Sequence, residues 1–217
     1  MSARDKILTK IGKAVGGGNA AKGAAEIEAY LALHPRGPAP PQLDNLGAHF
    51  KERALQLSSD VIEVEKHSDV PAALAHYLAE RRLPIQAVCW PSLSTLPWSA
   101  AGLDIATRQA NSNDLVGVTG AFCAIAETGT LMMLSGPETP PSVSLLPETH
   151  VAVLETDRIV ASMEDAWDLL RRECKQPPRA VNFISGPSRT ADIEQTVTLG
   201  AHGPYRVLVV LVGTKTT

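Results

Sequence analysis

Glu127 is a carboxylate in the middle of an apolar run. Residues 120–134 read GAFCAIAETGTLMML, and an unpaired charge among Ile125, Ala126, Leu131 and Met132 would be strongly destabilising. The carboxyl must be solvated, paired, or held protonated by a raised pKa. Thr128, Gly129 and Thr130 follow it, and the two flanking apolar runs leave no room for a helix. A tight turn is expected, with Gly129 free to take positive φ. Such a turn sets Glu127 at a strand end, the edge where open α/β sheets bind ligands. A solvent-exposed hairpin tip without function explains the same residues.

A second group lies in ISGPSRTADIE, residues 184–194. A strand running into Gly186-Pro187 and then a short helix would put Ser188, Arg189 and Thr190 at a helix N-terminus, where free N–H groups and hydroxyls favour an anion. Arg189 would add a bidentate partner for a carboxylate. Ordinary helix capping is the alternative, and Asp192 and Glu194 argue against a highly charged phosphate there. His202, between glycines in GAHGP (200–204), has the chemistry of an acid, base or ligand near neutral pH. His150 precedes VAVLE in the same way, and either imidazole is equally a satisfied loop or core group. Glu127, His150 and His202 do not make a metal site on spacing alone, and no metal is expected. The loop SGPETPPSVSLLP (135–147), stiffened by four prolines, suits the wall or lid of a pocket. Ser142 and Ser144 read as turn residues.

Several function classes are disfavoured. The chain contains no Walker phosphate loop, no dinucleotide-binding G-x-G-x-x-G and no G-x-S-x-G elbow, and GVTGAF (117–122) is too short a glycine pattern. A net charge of −3 offers no basic field for a nucleic-acid backbone or an acidic membrane. No uninterrupted apolar run is long enough to span a bilayer, and the first residues lack the apolar core of a secretory signal. A cytoplasmic location is expected. Cys89, Cys123 and Cys174 are odd in number and widely spaced, which speaks against a disulfide framework, a zinc site or an iron–sulfur cluster held by this chain.

The elements that would position these residues begin with a small helical arm. Ile7, Leu8, Ile11 and Val15 recur at helical spacing over residues 3–15, a second helical patch covers 24–33, and HPRGPAPP then forbids helix. Asn45–Leu57 suggests a third helix with Leu46, Phe50, Ala54 and Leu57 on one face. From residue 60 short strands alternate with helices: VIEVE (61–65), a helix from Ser68 through Arg82, QAVCW (86–90), LDIAT (103–107), VAVLE (151–155), a capping box at Ser162–Asp165 opening a helix to Cys174, VNFIS (181–185) and VLVVLVG (207–213). The pattern predicts an α/β fold: a mostly parallel sheet with helices on both faces. The expected organisation is a helical arm with a Pro-rich linker over 1–58 and one α/β domain over 59–217.

Taken together, the GVTGAFCAIAETGTLMMLSGPETPPSVSLLPETHVAVLE segment and VNFISGPSRTADIEQTVTLGAHGP resemble the lactate-utilization (LUD) domain family, in particular its small protein C branch, over roughly residues 60–213. The resemblance implies a sugar-isomerase and CoA-transferase type of α/β fold and a part in oxidising L-lactate to pyruvate. It further implies iron–sulfur partner proteins that carry the clusters, with no cofactor in this chain. The family often has a basic residue after the Thr-Pro of its Gly-Pro-x-Thr-Pro loop; this chain has Pro141, which removes the ground for an anion contact from that loop.

The leading expectation is a subunit of an L-lactate oxidation system. A small carboxylate would be held by Thr128, Gly129, Thr130, Ser188, Arg189 and Thr190, with Glu127 and His202 as acid–base groups. The rival is a free-standing CoA-transferase-like enzyme using Glu127 covalently on an acyl thioester, as the fold resemblance suggests. A third reading makes the Ala-rich arm a homo-oligomerisation or docking element.

Overall fold

A computed structural model describes residues 2–15, 20–34, 36–37, 44–190 and 198–213. The chain divides into two compact units, Met1–Ala39 and Pro40–Thr217. The first holds α1 (Ala3–Val15) and α2 (Ala20–Ala32), the second starting four residues before the apolar pattern shows it. Ile7, Leu8 and Ile11 on α1 and Ile27, Tyr30 and Leu31 on α2 are all more than half exposed. The Pro-rich stretch expected as a linker falls largely outside the described residues.

The second unit opens with α3 (Leu46–Gln56), capped by the Asn45 side chain, which accepts from the Ala48 N–H at 3.0 Å. Phe50 and Ala54 on its inner face are buried in the main core. The boundary expected at residues 58–59 therefore moves toward the N-terminus. The apolar face of α3 already showed in the sequence, but only its packing partners reveal that it belongs with the sheet.

Six strands build the central sheet: β1 (Asp60–Val64), β2 (Gln86–Cys89), β3 (Asp104–Thr107), β4 (Val116–Gly120), β7 (Thr149–Glu155) and β12 (Arg206–Val212). Their order is β1-β12-β7-β4-β2-β3, with every neighbouring pair parallel. The inner strands are nearly continuous apolar runs, as burial on both faces requires. One face is covered by α4 (Val70–Glu80), whose Leu74, Tyr77 and Leu78 join Val116, Val151, Leu208 and Val210.

The other face carries a layer that periodicity did not reveal. β5 (Cys123–Ile125), β6 (Thr130–Leu134), β8 (Ile159–Val160) and β9 (Val181–Ile184) form a separate four-stranded sheet in the order β8-β5-β6-β9. It packs beside α3 and the single turn α5 (Ser142–Leu145), burying Ala124, Leu131, Met133 and Val143 against Ala152, Leu154, Val209 and Leu211. Its far side is closed by α6 (Met163–Glu173), which starts at the expected Ser162–Asp165 capping box and buries Ala166 and Leu170 against Cys123, Ile125 and Met132. VNFIS thus pairs antiparallel with β6 instead of extending the parallel sheet. A short apolar run identifies a strand, but its partner is chosen by the pairing edge and the layer beneath it. Among the described residues no helix is long and apolar enough to cross a membrane.

Candidate functional site

The tight turn around Glu127 is present. Ile125 of β5 pairs with Thr130 of β6, leaving Ala126–Gly129 as a four-residue hairpin loop in which Gly129 has φ +65°. The loop is pressed against α3: a Cβ on Gly129 would stand 2.7 Å from the Ala54 nitrogen. The Glu127 N–H donates to the Ala161 carbonyl at 3.1 Å, and its half-buried carboxyl has no partner among the described residues. Glu127 is therefore at a strand end, as expected, but in the small sheet, away from the ends of the parallel strands.

Segment 184–190 meets this hairpin. Thr128 Oγ1 donates to Thr130 Oγ1 at 2.8 Å, and Thr130 Oγ1 is 2.7 Å from Ser185 Oγ, so three hydroxyls form a chain. Gly186, at φ +79°, lies where a Cβ would sit 2.3 Å from the Leu57 carbonyl. Both glycines thus seat their loops on the C-terminal turn of α3. The expected helix does not begin here: Arg189–Thr190 is a strand, β10, paired antiparallel with β11 (Thr198–Leu199). Residues 191–197, where the rest of that helix was placed, lie outside the described residues. Arg189 also has a different occupation, since its Nη2 donates to the Leu57 carbonyl at 2.9 Å and to Ser58 Oγ at 2.6 Å. Its guanidinium caps the carbonyl end of α3, which a cation favours, and is not poised as an open carboxylate fork.

Ser188 and His202 do come together. With Ser144, Ser185, Phe183 and Val207 they line a hollow of about 280 Å³. The Ser188 hydroxyl and the His202 imidazole have no protein partner among the described residues, whereas Ser144 Oγ donates to the Pro141 carbonyl at 3.0 Å. The hollow lies at the amino ends of β12 and β7, and Glu127 does not line it. It can offer hydroxyl and imidazole hydrogen bonds to a small polar ligand.

His150 is structural. It is fully buried, its Nε2 lies 2.8 Å from Thr119 Oγ1, and its Nδ1 has no partner among the described residues. Burial pushes its pKa down to about 4. Among the described residues no group of three or more His, Cys, Asp or Glu could hold a metal. Cys89 and Cys123 are buried, and burial raises the Cys123 thiol to about 11.

A second concavity was missed in the sequence. Trp90 and Ser92 after β2, Gly120 at the end of β4, Phe122, Leu134 and Thr139 line a crevice of about 390 Å³ at the carboxyl edge of the central sheet. The 135–147 loop does form a wall, through Thr139 and through Pro140, whose carbonyl accepts from Trp90 Nε1 at 3.1 Å. The sequence signals were Trp-Pro-Ser directly after a strand and a glycine closing another, both too common to single out.

Comparison with known proteins agrees with this architecture. A family model described as the LUD domain matches residues 47–212. The chain is 34% identical over 174 residues to lactate utilization protein C of an Exiguobacterium species, covering 75% of this chain and 76% of that protein. It is also 34% identical over 132 residues to lactate utilization protein C of Bacillus subtilis, covering 58% of this chain and 54% of that relative, so the match spans about half of the latter's length. A crystal structure of a DUF162 family protein from Deinococcus radiodurans superposes with a TM-score of 0.62 at 24% identity, over 80% of this chain and all of that one.

Proposed function

The chain belongs to the LUD domain family, and from that premise we propose that it serves lactate utilization as a subunit that binds a small 2-hydroxy or 2-keto carboxylate. Relatives named lactate utilization protein C support the role. The observation that carries the ligand class is the convergence of Ser188 and His202, fourteen positions apart, on one small hollow. The Ser188 hydroxyl, which has no partner among the described residues, would donate to the carboxylate, and His202 would exchange a hydrogen bond with the 2-oxygen. Oxidation of the bound acid would need an electron acceptor, and iron–sulfur partner proteins are the proposed route.

Two measurements test the reading. Titration calorimetry of the purified chain should give saturable heat with L-lactate or pyruvate and none with acetate; Ser188→Ala should weaken binding about tenfold, the loss of one hydrogen bond to a charged group, and His202→Ala about fivefold, the loss of one to the uncharged 2-oxygen. Equal heats for lactate and acetate would sink the assignment of the hollow. Cells lacking the chain should grow poorly on L-lactate and normally on glucose; unimpaired growth on lactate would sink the role itself.

A further inference from the structure

The crevice at the carboxyl edge has a topological origin. After β2 the chain steps outward to β3, whereas β4, β7 and β12 follow on the other side of β2. Neighbouring strands whose connections diverge leave a gap between their carboxyl ends, and α/β sheets bind ligands in such gaps. This one, at about 390 Å³, is near the small end of organic-ligand pockets. It holds a single ring system, not a dinucleotide.

Its walls specify the chemistry. Trp90 is 4% exposed and its indole N–H is already given to Pro140, so it presents ring and not a donor. Gly120 leaves the space beside that ring open: a Cβ there would stand 3.9 Å from Trp90 Cε3 and 4.0 Å from Cζ3. Phe122 adds a second aromatic wall. Thr139 Oγ1 donates to the Leu134 carbonyl at 2.7 Å, which leaves it an acceptor, while the exposed Ser92 hydroxyl has no partner among the described residues and can donate. Among the described residues no charged side chain lines the crevice. Arg158, beside the Phe122 ring, is committed to both Glu173 oxygens at 2.6 and 2.9 Å and to the Phe122 carbonyl. A buried charge on the ligand would find no partner, and aromatic faces reward a flat one.

We propose that this crevice binds a flat, uncharged heteroaromatic ring carrying one hydrogen-bond donor and one acceptor on its edge. The site is separate from the Ser188–His202 hollow, and the two readings fail independently. Saturation-transfer NMR on the full chain with adenosine and with riboflavin tests it, each probe offering such a ring and a sugar or ribityl tail. The expected result is saturable transfer for at least one probe, strongest on ring protons. Gly120→Ala, which places a methyl in ordinary contact with Trp90 and into the gap, should weaken binding tenfold or more, and Thr139→Val about fivefold, with Ser188→Ala unchanged. Thermal melts of both crevice variants would confirm that they fold. Absence of saturable transfer from both probes, or a folded Gly120→Ala chain that binds like the wild type, would overturn the proposal.

Discussion

At the scale of single residues, the side chains that looked most chemical have the most structural occupations. Arg189 holds the end of α3, so Arg189→Met should cost about 1 kcal/mol, the lower range for a charged hydrogen bond because the group is exposed. Urea denaturation would show that loss, and lactate affinity should stay within a factor of two. A carboxylate fork would behave the opposite way. His150 makes stability depend on pH. Its folded pKa of about 4 lies below the ordinary value of 6.5, so between these the unfolded chain binds the extra proton and stability falls as the pH drops through that window. The drop from pH 7.5 to pH 5 should be on the order of 2 kcal/mol. His150→Gln keeps a partner for Thr119 and cannot titrate; denaturation midpoints that fall as steeply in this variant would assign the effect elsewhere. The sequence could not show the Arg189 cap, because its partner Leu57 is 132 residues away. It did show the turn at Glu127, because Gly129 and the lack of space for a helix are local facts.

At the scale of elements, α3 organises the hairpin and the 184–190 segment. Gly129 and Gly186 combine positive φ with no room for a Cβ against Ala54 and Leu57. Gly129→Ala or Gly186→Ala should each destabilise by about 2–4 kcal/mol, since strain and overpacking act together. Thr128→Ala removes one link of a part-buried hydroxyl chain and should cost about 1 kcal/mol. Equal midpoints for the three variants in chemical denaturation would mean that α3 gives way freely. Most strands and the Ser162 capping box were legible because alternation and capping repeat over a few residues. The four-stranded sheet was not, since which strands pair is decided by neighbours distant in sequence. The crevice was still less visible: its lining comes from residues 90–92, 120–122, 134 and 139, no two groups forming a motif.

At the scale of the whole molecule, the unit from residue 40 onward contains α3 and the six- and four-stranded sheets. A chain starting at Asp44 should melt cooperatively within about 4 °C of full length, a shift of no more than about 1 kcal/mol. A chain starting at Ser59 loses Phe50 and Ala54 from over Val209 and Leu211 and should not fold stably. Light scattering on the Asp44 chain also reads the arm: a lower assembly mass would give α1 and α2 an oligomerising role. The order β1-β12-β7 has a further consequence, for synthesis. The strand that joins the first to the rest of the sheet is the last of the six to leave the ribosome. Until Val212 is clear of the exit tunnel, β1 and β7 lack their shared neighbour, and the backbone groups along their facing edges stay unpaired. A keystone strand this late in the sheet delays its completion until long-range pairings can form, so nascent chains stalled before Arg206 should be held by chaperones.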